Sequence, residues 1–507
     1  MSQSPYNLKE ELSAEMQQAY LSTLVFAKMF FPKRFSRPFS SIHRQICKHL
    51  DGPDQKIALA APRGIGKTSL VALAYTAKKV LFRESRFIIF VTNSADAAVE
   101  QTENLKEYLI STPLIQDLFG DLKSARWAKD RWMIRWEDGT TTMILPRGAG
   151  QQIRGSLHRD DRPDLIVVDD LENDELVESE VQRAKLRKWF YNSLLKCVDL
   201  GEDDWKIVVI DTIKHEDCLI ERLQEHSGWT SERFSLCDEN LHSLWSEFID
   251  DAGVLKLYNE AKENDDLDGF YREHMNMPIA TEEAGFPRSF RYFQAPFTEL
   301  NRRLDNFVIV DPAKTANPKS AKTAILGGGV DTKEELVYFR TLINEKLHAD
   351  EIVDHALNMC EQINSNVLAV EVTSLKEFIT FPIRNEIARR GINVELVELS
   401  PRMKKEDRAK GLIPLYRRGQ VLHAPVGMAA LEAQLLSFPR PRYWDALDCA
   451  AYVVELFDIG ARYFGRHSDN DASADDIEAE YRDLESDRME DIDIEAISCP
   501  SVISMGI

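Results

Sequence analysis

The sequence predicts an α/β protein made of two successive blocks, each a sheet covered by helices. Three observations carry that expectation. Short apolar segments of strand character (KIALA, RFIIFVT, LIVVDD, KIVVIDT) alternate with helical stretches between residues 56 and 212. The same rhythm restarts with FVIVD at 307–311 and continues to about 458. Between them, around 278–300, the Pro- and aromatic-rich run PIATEEAGFPRSFRYFQAPF breaks it. A chain of 507 residues exceeds one ordinary core. With 44% hydrophobic and 29% charged residues its composition is globular, which excludes wholesale disorder.

The elements follow in order. Residues 1–50 read as a mostly helical region packing on the first block, and Pro38-Phe39-Ser40-Ser41-Ile42-His43-Arg44-Gln45 leads into a helix. From Lys56 to Phe82 the pattern is strand, tight turn, helix. The apolar stretch from Ser69 to Phe82 is interrupted by Lys78 and Lys79 and is too short to span a bilayer. RFIIFVTNS reads as a strand and ADAAVEQTENLKEYL as the helix after it, while 165–170 and 206–212 are further strands. Continuous apolar strands of this kind belong to a parallel sheet buried on both faces. The second block reads as FVIVD, the paired strands TAILGGGVD and ELVYFRTL, a helix near 349–363 and the strand NVLAVEV (366–372). A helix near 376–390, the strand NVELVEL and further helices complete it. The expected division is 1–50 helical, 51–285 first block, 286–304 linker, 305–460 second block and 461–507 tail.

Charge and cysteines set the class. The 63 Lys and Arg against 84 Asp and Glu give a net charge of −21. Between His467 and Glu495 there are 13 acids and two arginines, so about half of the excess lies in one stretch with few aromatics, read as a disordered acidic tail. That tail is either a solvated appendage or a docking peptide. The seven cysteines are scattered, odd in number and form no C-x-x-C pair, which argues for a reducing compartment and against a disulfide framework or zinc ribbon. The polar start MSQSPYNLKEEL has no apolar core of a signal peptide, so a soluble intracellular protein is expected.

Ala61-Pro62-Arg63-Gly64-Ile65-Gly66-Lys67-Thr68 fits the Walker A pattern, directly after a strand and opening a helix. Gly64 and Gly66 let backbone N–H groups wrap phosphates, Lys67 reaches the β- and γ-phosphates, and the Thr68 hydroxyl can hold Mg²⁺. The matching Walker B strand is Leu165-Ile166-Val167-Val168-Asp169-Asp170, in which Asp169 holds the ion through water. Asp170, or Glu172 on the same side if the strand continues, is the candidate for orienting the attacking water. Arg63 in the loop and Arg154 in Gln152-Ile153-Arg154-Gly155 are candidates for neutralising transition-state charge, each equally readable as a structural ion pair. Thr212 at the tip of KIVVIDT is a candidate sensor of the γ-phosphate.

In the second block Asp311 ends one strand and Glu371 another, while Asp445 and Asp448 open an amphipathic helix three residues apart. Carboxylates on strand ends and a covering helix can converge on two divalent ions that clamp a phosphodiester. Between them Arg402, Lys404, Lys405, Arg408, Lys410, Arg417 and Arg418 form a basic run, either a solvated helix face or a track for a DNA backbone.

Taken in order, these features resemble the large terminase subunit of tailed double-stranded DNA phages over roughly residues 35–458. The resemblance rests on the phosphate loop with Arg63, Gln152-Ile153-Arg154-Gly155, LIVVDDLEN, Asp-Thr-x-x-His-Glu-Asp at 211–217 and VDPA at 310–313. Glu371, Lys405-x-x-Arg408, the segment Leu415 to Val421 and Asp-Ala-Leu-Asp-Cys-Ala-Ala-Tyr complete it. It implies a P-loop NTPase of ASCE type followed by an RNase H-like nuclease. Such a protein is an ATP-driven motor that moves viral double-stranded DNA into the procapsid through the portal and cuts the concatemer. ATP and Mg²⁺ are the implied cofactors, with Mn²⁺ able to replace Mg²⁺ in the nuclease. Implied partners are DNA, the portal, the small terminase subunit and further copies in a ring, with a monomer possible in solution and no membrane. The implied place is the host cytoplasm, transiently docked on the portal.

Carried over, Arg63, Gly64, Ile65, Gly66, Lys67, Thr68, Asp169 and Thr212 bind nucleotide, and Thr68 and Asp169 hold its ion. Asp170 or Glu172 activates water, and Arg63 or Arg154 is the arginine finger. Asp311, Glu371 and Asp445 are the nuclease acids with Asp448 as a fourth candidate. The sequence departs from the family pattern at Ile213-Lys214, Lys322 and Trp444. Two other readings compete: a P-loop helicase or remodelling ATPase whose second block does not cleave, and a nucleotide-switched assembly protein docking through its tail.

Overall fold

A computed structural model of the chain describes residues 13–124, 127–199, 201–277, 285–313, 322–372, 376–401 and 403–459. The acidic tail, Arg402 and residues 278–284 of the Pro-rich connection lie outside the described residues.

The first sheet contains β1 (Lys56–Ala60), β2 (Phe87–Thr92), β3 (Trp132–Arg135), β4 (Thr141–Gly148), β5 (Leu165–Asp169), β6 (Lys206–Asp211) and β7 (Thr230–Arg233). Their spatial order is β3-β4-β2-β5-β6-β1-β7, and every pairing is parallel except β3 with β4. β6 stands between β1, which leads into the phosphate loop, and β5, which ends in Asp169. That inserted strand is the arrangement expected of an ASCE-type P-loop sheet.

Side chains alternate across this sheet, so each strand feeds two cores. On one face Ile57, Leu59, Ile88, Phe90, Val167 and Val208 meet the N-terminal helices Ala14–Leu21, Thr23–Phe30 and Ser41–Asp51. On the other, Ala58, Ile89, Ile166, Val168 and Val209 meet Leu186, Phe190, Ile213 and Leu223. Burial on both faces is why these strands read as unbroken apolar runs. The segment after the phosphate loop is helical, but residues Ser69–Tyr75 wind with π-type bonds before an α-helix, Thr76–Leu81. Helix starts are set by side-chain caps, as where Ser94 accepts from Ala97 N and Asp250 from Gly253 N.

The sequence reading did not name β3, β4 or β7. Pro146 sits inside β4, a position that argues against a strand, and β7 (TSER) has no apolar alternation.

The second sheet contains β8 (Arg291–Tyr292), β9 (Asp305–Asp311), β10 (Thr323–Asp331), β11 (Leu336–Glu345), β12 (Val367–Glu371), β13 (Glu395–Leu399) and β14 (Val421–His423), in the order β13-β12-β9-β10-β11-β14-β8. β10 runs antiparallel to β9 and β11, and β12 runs parallel to β9 and β13. A central strand flanked by one antiparallel meander and one parallel pair is the RNase H-like plan, so the α/β class expected of both blocks is present. Helix Asp445–Ile459 packs on β9 and β10 from one side. Helix Ala349–Ile363 covers β9, β10 and β12 from the other. The short connection before β9 is itself structured, with β8 and helix Phe297–Arg303.

Helices Asp251–Glu263 and Leu267–His274 precede that connection in the chain, yet Tyr258, Phe270 and Tyr271 share a core with Phe286, Tyr416 and Phe438. A fully buried polar network fastens this contact. Glu432 Oε1 meets His423 Nδ1 at 2.9 Å, the Tyr258 hydroxyl donates to Glu432 Oε2, and Tyr416 Oη meets His423 Nε2 at 2.7 Å. Among the described residues no helix is long and apolar enough to cross a membrane. The six cysteines at described positions form no disulfide.

Burial opposes ionisation of Glu432, but the hydrogen bond from His423 and its charge outweigh it and hold the carboxyl below its ordinary value. A depressed carboxylate stabilises the fold above its unfolded pKa, and that stability is lost as pH falls through the folded value. Glu432→Ala is therefore expected to cost about 3–5 kcal/mol at pH 7, because it leaves His423 and Tyr258 buried without their partner. The deficit should shrink below pH 4.5, the ordinary glutamate value. Urea midpoints of the two proteins across that range check it.

Candidate functional site

The first centre forms at the ends of β1, β5 and β6. Gly64 and Gly66 have φ of +86° and +76°, backbone that a side chain would strain, and this lets the loop turn over the start of the helix. His43 Nε2 meets Ile65 O at 2.9 Å and fixes the loop from the N-terminal helices. The Lys67 ammonium is buried and makes an ion pair with Asp170 Oδ1 at 2.8 Å while donating to the Thr212 hydroxyl. Thr212 in turn donates to Ala61 O at 3.0 Å. The structure therefore brings Lys67, Asp170 and Thr212 together.

β5 ends at Asp169 because Asp170 takes a left-handed backbone, φ +46°. This overturns the condition on which Glu172 was expected to lie beside Asp170: the strand does not continue. Glu172 is turned inward instead, and its Oε2 accepts from Leu219 N at 2.7 Å. Asp211 organises the turn, accepting from Leu171 N at 2.8 Å and Glu172 N at 3.3 Å on one oxygen. Its other oxygen accepts from Thr212 N and Lys214 Nζ, both at 2.7 Å.

Electrostatics separates the acids. Burial, then the charge of Asp170, pushes Asp169 up to about 7. Burial also opposes ionisation of Asp170, but Lys67 and Lys214 outweigh it and hold that carboxyl below its ordinary value. Glu172 is pushed up to about 7 by burial and then by Asp211. Asp169 Oδ1 is buried with no hydrogen-bond partner.

The two arginines differ. Arg63, beside the loop, pairs with Glu273 at 2.8 Å and lies 3.9 Å from Asp174. Arg154 is exposed and donates to Asn192 O. Next to the loop opens a cavity of about 370 Å³ lined by Arg34, Arg37, Phe39, His43, Gly64 and Trp245. Phe39, His43 and Trp245 give it aromatic walls beside the glycine turns. The sequence reading noted Phe39 and His43 only as a lead-in to a helix; Trp245, some 200 residues away, carried no local signal.

The second centre follows from strand register. β9 and β12 pair Val310 with Val370, which sets Asp311 beside Glu371 at the ends of adjacent strands. Asp448 reaches them from the covering helix, and one carboxylate oxygen from each of the three lies within 4.8 Å of the others. Asp445 stands alongside, its Oδ2 accepting from Lys322 N at 3.1 Å. Asp448 is fully buried and balanced by cations: Arg408 Nη2 lies 2.7 Å from Oδ1 and Lys405 Nζ 2.7 Å from Oδ2. Burial and then Glu371 push Asp311 well above its ordinary value, and burial raises Asp445. Glu371 Oε2 is buried without a hydrogen-bond partner. Oxygen donors held together at this cost are a fit for hard divalent cations.

Of the described residues in the basic run only Arg408 is buried, while Lys404, Lys405, Lys410, Arg417 and Arg418 are exposed. Arg408 and Lys405 hold Asp448, Lys410 pairs with Glu406 at 2.8 Å, and Arg417 donates to Gly285 O at 3.1 Å.

The crowding has an opposite consequence for each acid. Asp311→Asn removes a charge that its neighbours repel and is expected to raise the melting midpoint by about 2–4 °C, the effect of 1 kcal/mol on a domain of this size. Asp448→Ala leaves Arg408 buried and unpaired and is expected to lower stability by about 3–5 kcal/mol. Mn²⁺ should raise the midpoint of the unsubstituted protein more than that of Asp311→Asn. Thermal scans with and without the ion check all three.

No protein-family model matches the sequence, and no curated protein matches it. Among solved structures, the large terminase of a thermophilic bacteriophage is 11% identical over 82% of this chain and 99% of its own, with a TM-score of 0.30. The ATPase domain of a Thermus phage large terminase is 11% identical over 48% of this chain and 96% of that domain, TM-score 0.34. The human cytomegalovirus terminase nuclease domain is 14% identical over 33% of this chain and 89% of that domain, TM-score 0.26. The chain is thus similar over most of its length to a phage large terminase, and in separate comparisons to a terminase ATPase domain and a terminase nuclease domain.

Proposed function

We propose that this chain is the motor and nuclease subunit of a viral genome-packaging machine. In this reading it hydrolyses ATP to drive double-stranded DNA through a portal into a procapsid, and it cuts the concatemer with a two-metal endonuclease. The observation that carries it is the tandem of two unlike centres in one chain: a phosphate loop whose lysine is buried against Asp170 and Thr212, and a separate cluster of Asp311, Glu371 and Asp448. The family resemblance of the ordered motifs supplies the substrate and the partners, namely DNA, the portal, the small subunit and further copies of the chain.

In the first centre, Lys67 exchanges Asp170 for the β- and γ-phosphates, and the glycine turns present N–H groups to the same anion. Thr68 and Asp169 would hold Mg²⁺, and the unpartnered Asp169 Oδ1 supports that assignment. Asp170, released by Lys67 yet still facing Lys214, is the preferred acid for orienting water, with Glu172 the rival. Arg63 in cis or Arg154 from a neighbouring copy supplies the positive charge for the transition state. Phe39 and Trp245 receive the base.

In the second centre Asp311, Glu371 and Asp448 would hold Mg²⁺ or Mn²⁺, with Asp445 beside them. Such ions stabilise the attacking and leaving oxygens of the phosphodiester. Lys405 and Arg408 pair with Asp448 and orient it in its buried position. The same two cations favour a second reading, a DNA-remodelling ATPase without cleavage, since they already balance one acid of the cluster.

The two centres should fail separately. Lys67→Ala is expected to lower ATP turnover by about 10²-fold or more and abolish packaging, with Mn²⁺-dependent cleavage of plasmid DNA retained. Asp311→Asn is expected to abolish cleavage and keep ATP turnover. Cleavage by both variants would remove the metal assignment; cleavage by neither, nor by the unsubstituted chain, would favour the remodelling ATPase. Phe39→Ala should raise KM for ATP more than it lowers kcat.

A further inference from the structure

The segment that follows β7 in the chain meets the edge of the carboxylate centre, and the contact is ionic. Glu239 lies in that segment and is 6% exposed. Its Oε2 accepts from Lys322 Nζ at 2.8 Å and from Asn344 Nδ2 at 3.0 Å, while its Oε1 is buried with no hydrogen-bond partner. Lys322 immediately precedes β10, and its main-chain N–H is the donor to Asp445 Oδ2. The next residue, Thr323, accepts from Ala313 N at 3.0 Å, two positions beyond Asp311. Asp445 opens the helix that carries Asp448. One glutamate from outside the second sheet therefore anchors Lys322, and through it both chain segments that flank the three-carboxylate cluster.

Exposed ion pairs contribute little, but this one is not exposed: the Lys322 and Glu239 side chains are 21% and 6% accessible. Lys322 is also the position at which the sequence departs from the family pattern. A lysine there would weaken a cation site if it turned toward the acids. Glu239 takes up the Lys322 ammonium, and the Lys322 main-chain N–H orients Asp445.

We propose that Glu239 is a positioning residue of the carboxylate centre, supplied from the ATPase side of the chain. By holding Lys322 it keeps Asp445 and the end of β9 in the arrangement that accepts divalent cations. This rests on reading that centre as a metal-dependent nuclease. It gives the ATPase part of the chain a direct hold on the second site: any movement that parts Glu239 from Lys322 loosens the cation site without touching its ligands.

The test uses the full-length protein without nucleotide and measures Mn²⁺ binding directly by electron paramagnetic resonance. Loss of a group that orients metal ligands typically weakens metal affinity by 10–100-fold, so Glu239→Ala is expected to raise the Mn²⁺ Kd about tenfold. The Mn²⁺ concentration for half-maximal plasmid cleavage should move by the same factor, with kcat at saturating Mn²⁺ and ATP turnover within about twofold. Glu239→Gln keeps the packing and should fall between, which covers the case in which the alanine variant does not fold. The exchanged pair, Glu239→Lys with Lys322→Glu, should recover affinity, which a loss of interface stability alone would not predict. Mn²⁺ binding that is sensitive to Asp311→Asn but identical in both Glu239 variants overturns the proposal and leaves the nuclease reading standing. An exchanged pair that recovers nothing also overturns it. No Mn²⁺ binding by the unsubstituted protein overturns the proposal and the nuclease reading together.

Discussion

The constraint on which the rest of the structure depends is the cost of keeping several carboxylates ionised out of water at the ends of buried strands. Burying a charge is costly unless it is paired, and bringing like charges together adds to that cost. Both centres meet the constraint in the same way, with cations of the chain standing beside the acids. Lys67 and Lys214 serve Asp170 and Asp211, and Lys405 and Arg408 serve Asp448. In each centre acids are left without full compensation, Asp169 and Glu172 in the first and Asp311 and Asp445 in the second, and all four are pushed above their ordinary values. Those are the positions at which an added cation would be most favourable.

The sheets make this geometry possible. A strand buried on both faces has only its end available for polar chemistry, so functional side chains gather where the strands stop. β5 stops at Asp169 through the left-handed turn at Asp170, and Asp211 at the end of neighbouring β6 accepts the amides that this turn exposes. β9 and β12 stop in register at Asp311 and Glu371. The apolar interior of each strand fixes the position of its terminal acid to within a residue, because a one-residue slip would turn every side chain to the opposite face.

Legibility in the sequence followed this division. Whatever depended on a local pattern could be read: the apolar strands, the phosphate loop, the acids at strand ends and the helices 349–363 and 376–390. What depended on distant partners could not. Trp245 reaches the cavity beside the phosphate loop from the far end of the first block, and Glu239 reaches the second centre across the chain. Spacing also leaves rotation undetermined. Asp445 and Asp448 lie three residues apart on one helix face, yet only Asp448 meets Asp311 and Glu371 within 4.8 Å. Asp445 sits at the helix start, where it accepts from the Lys322 amide.

Charge shows why composition alone misled. A net of −21 argues against a polyanionic partner, and the basic run from 402 to 418 argued the reverse. The structure alters both arguments. Lys405 and Arg408 are engaged with Asp448, while Lys404, Lys410, Arg417 and Arg418 stay exposed, so the run serves the carboxylate centre with two cations and leaves the others at the surface. At the two centres acids and bases act as local counter-charges across a few ångströms, where burial weakens screening and makes a pair consequential. The total is a sum over such pairs and over a tail outside the described residues. What governs the affinity of either centre for an anion or a cation is which counter-charge stands beside each buried acid, and whether an incoming ligand can replace it.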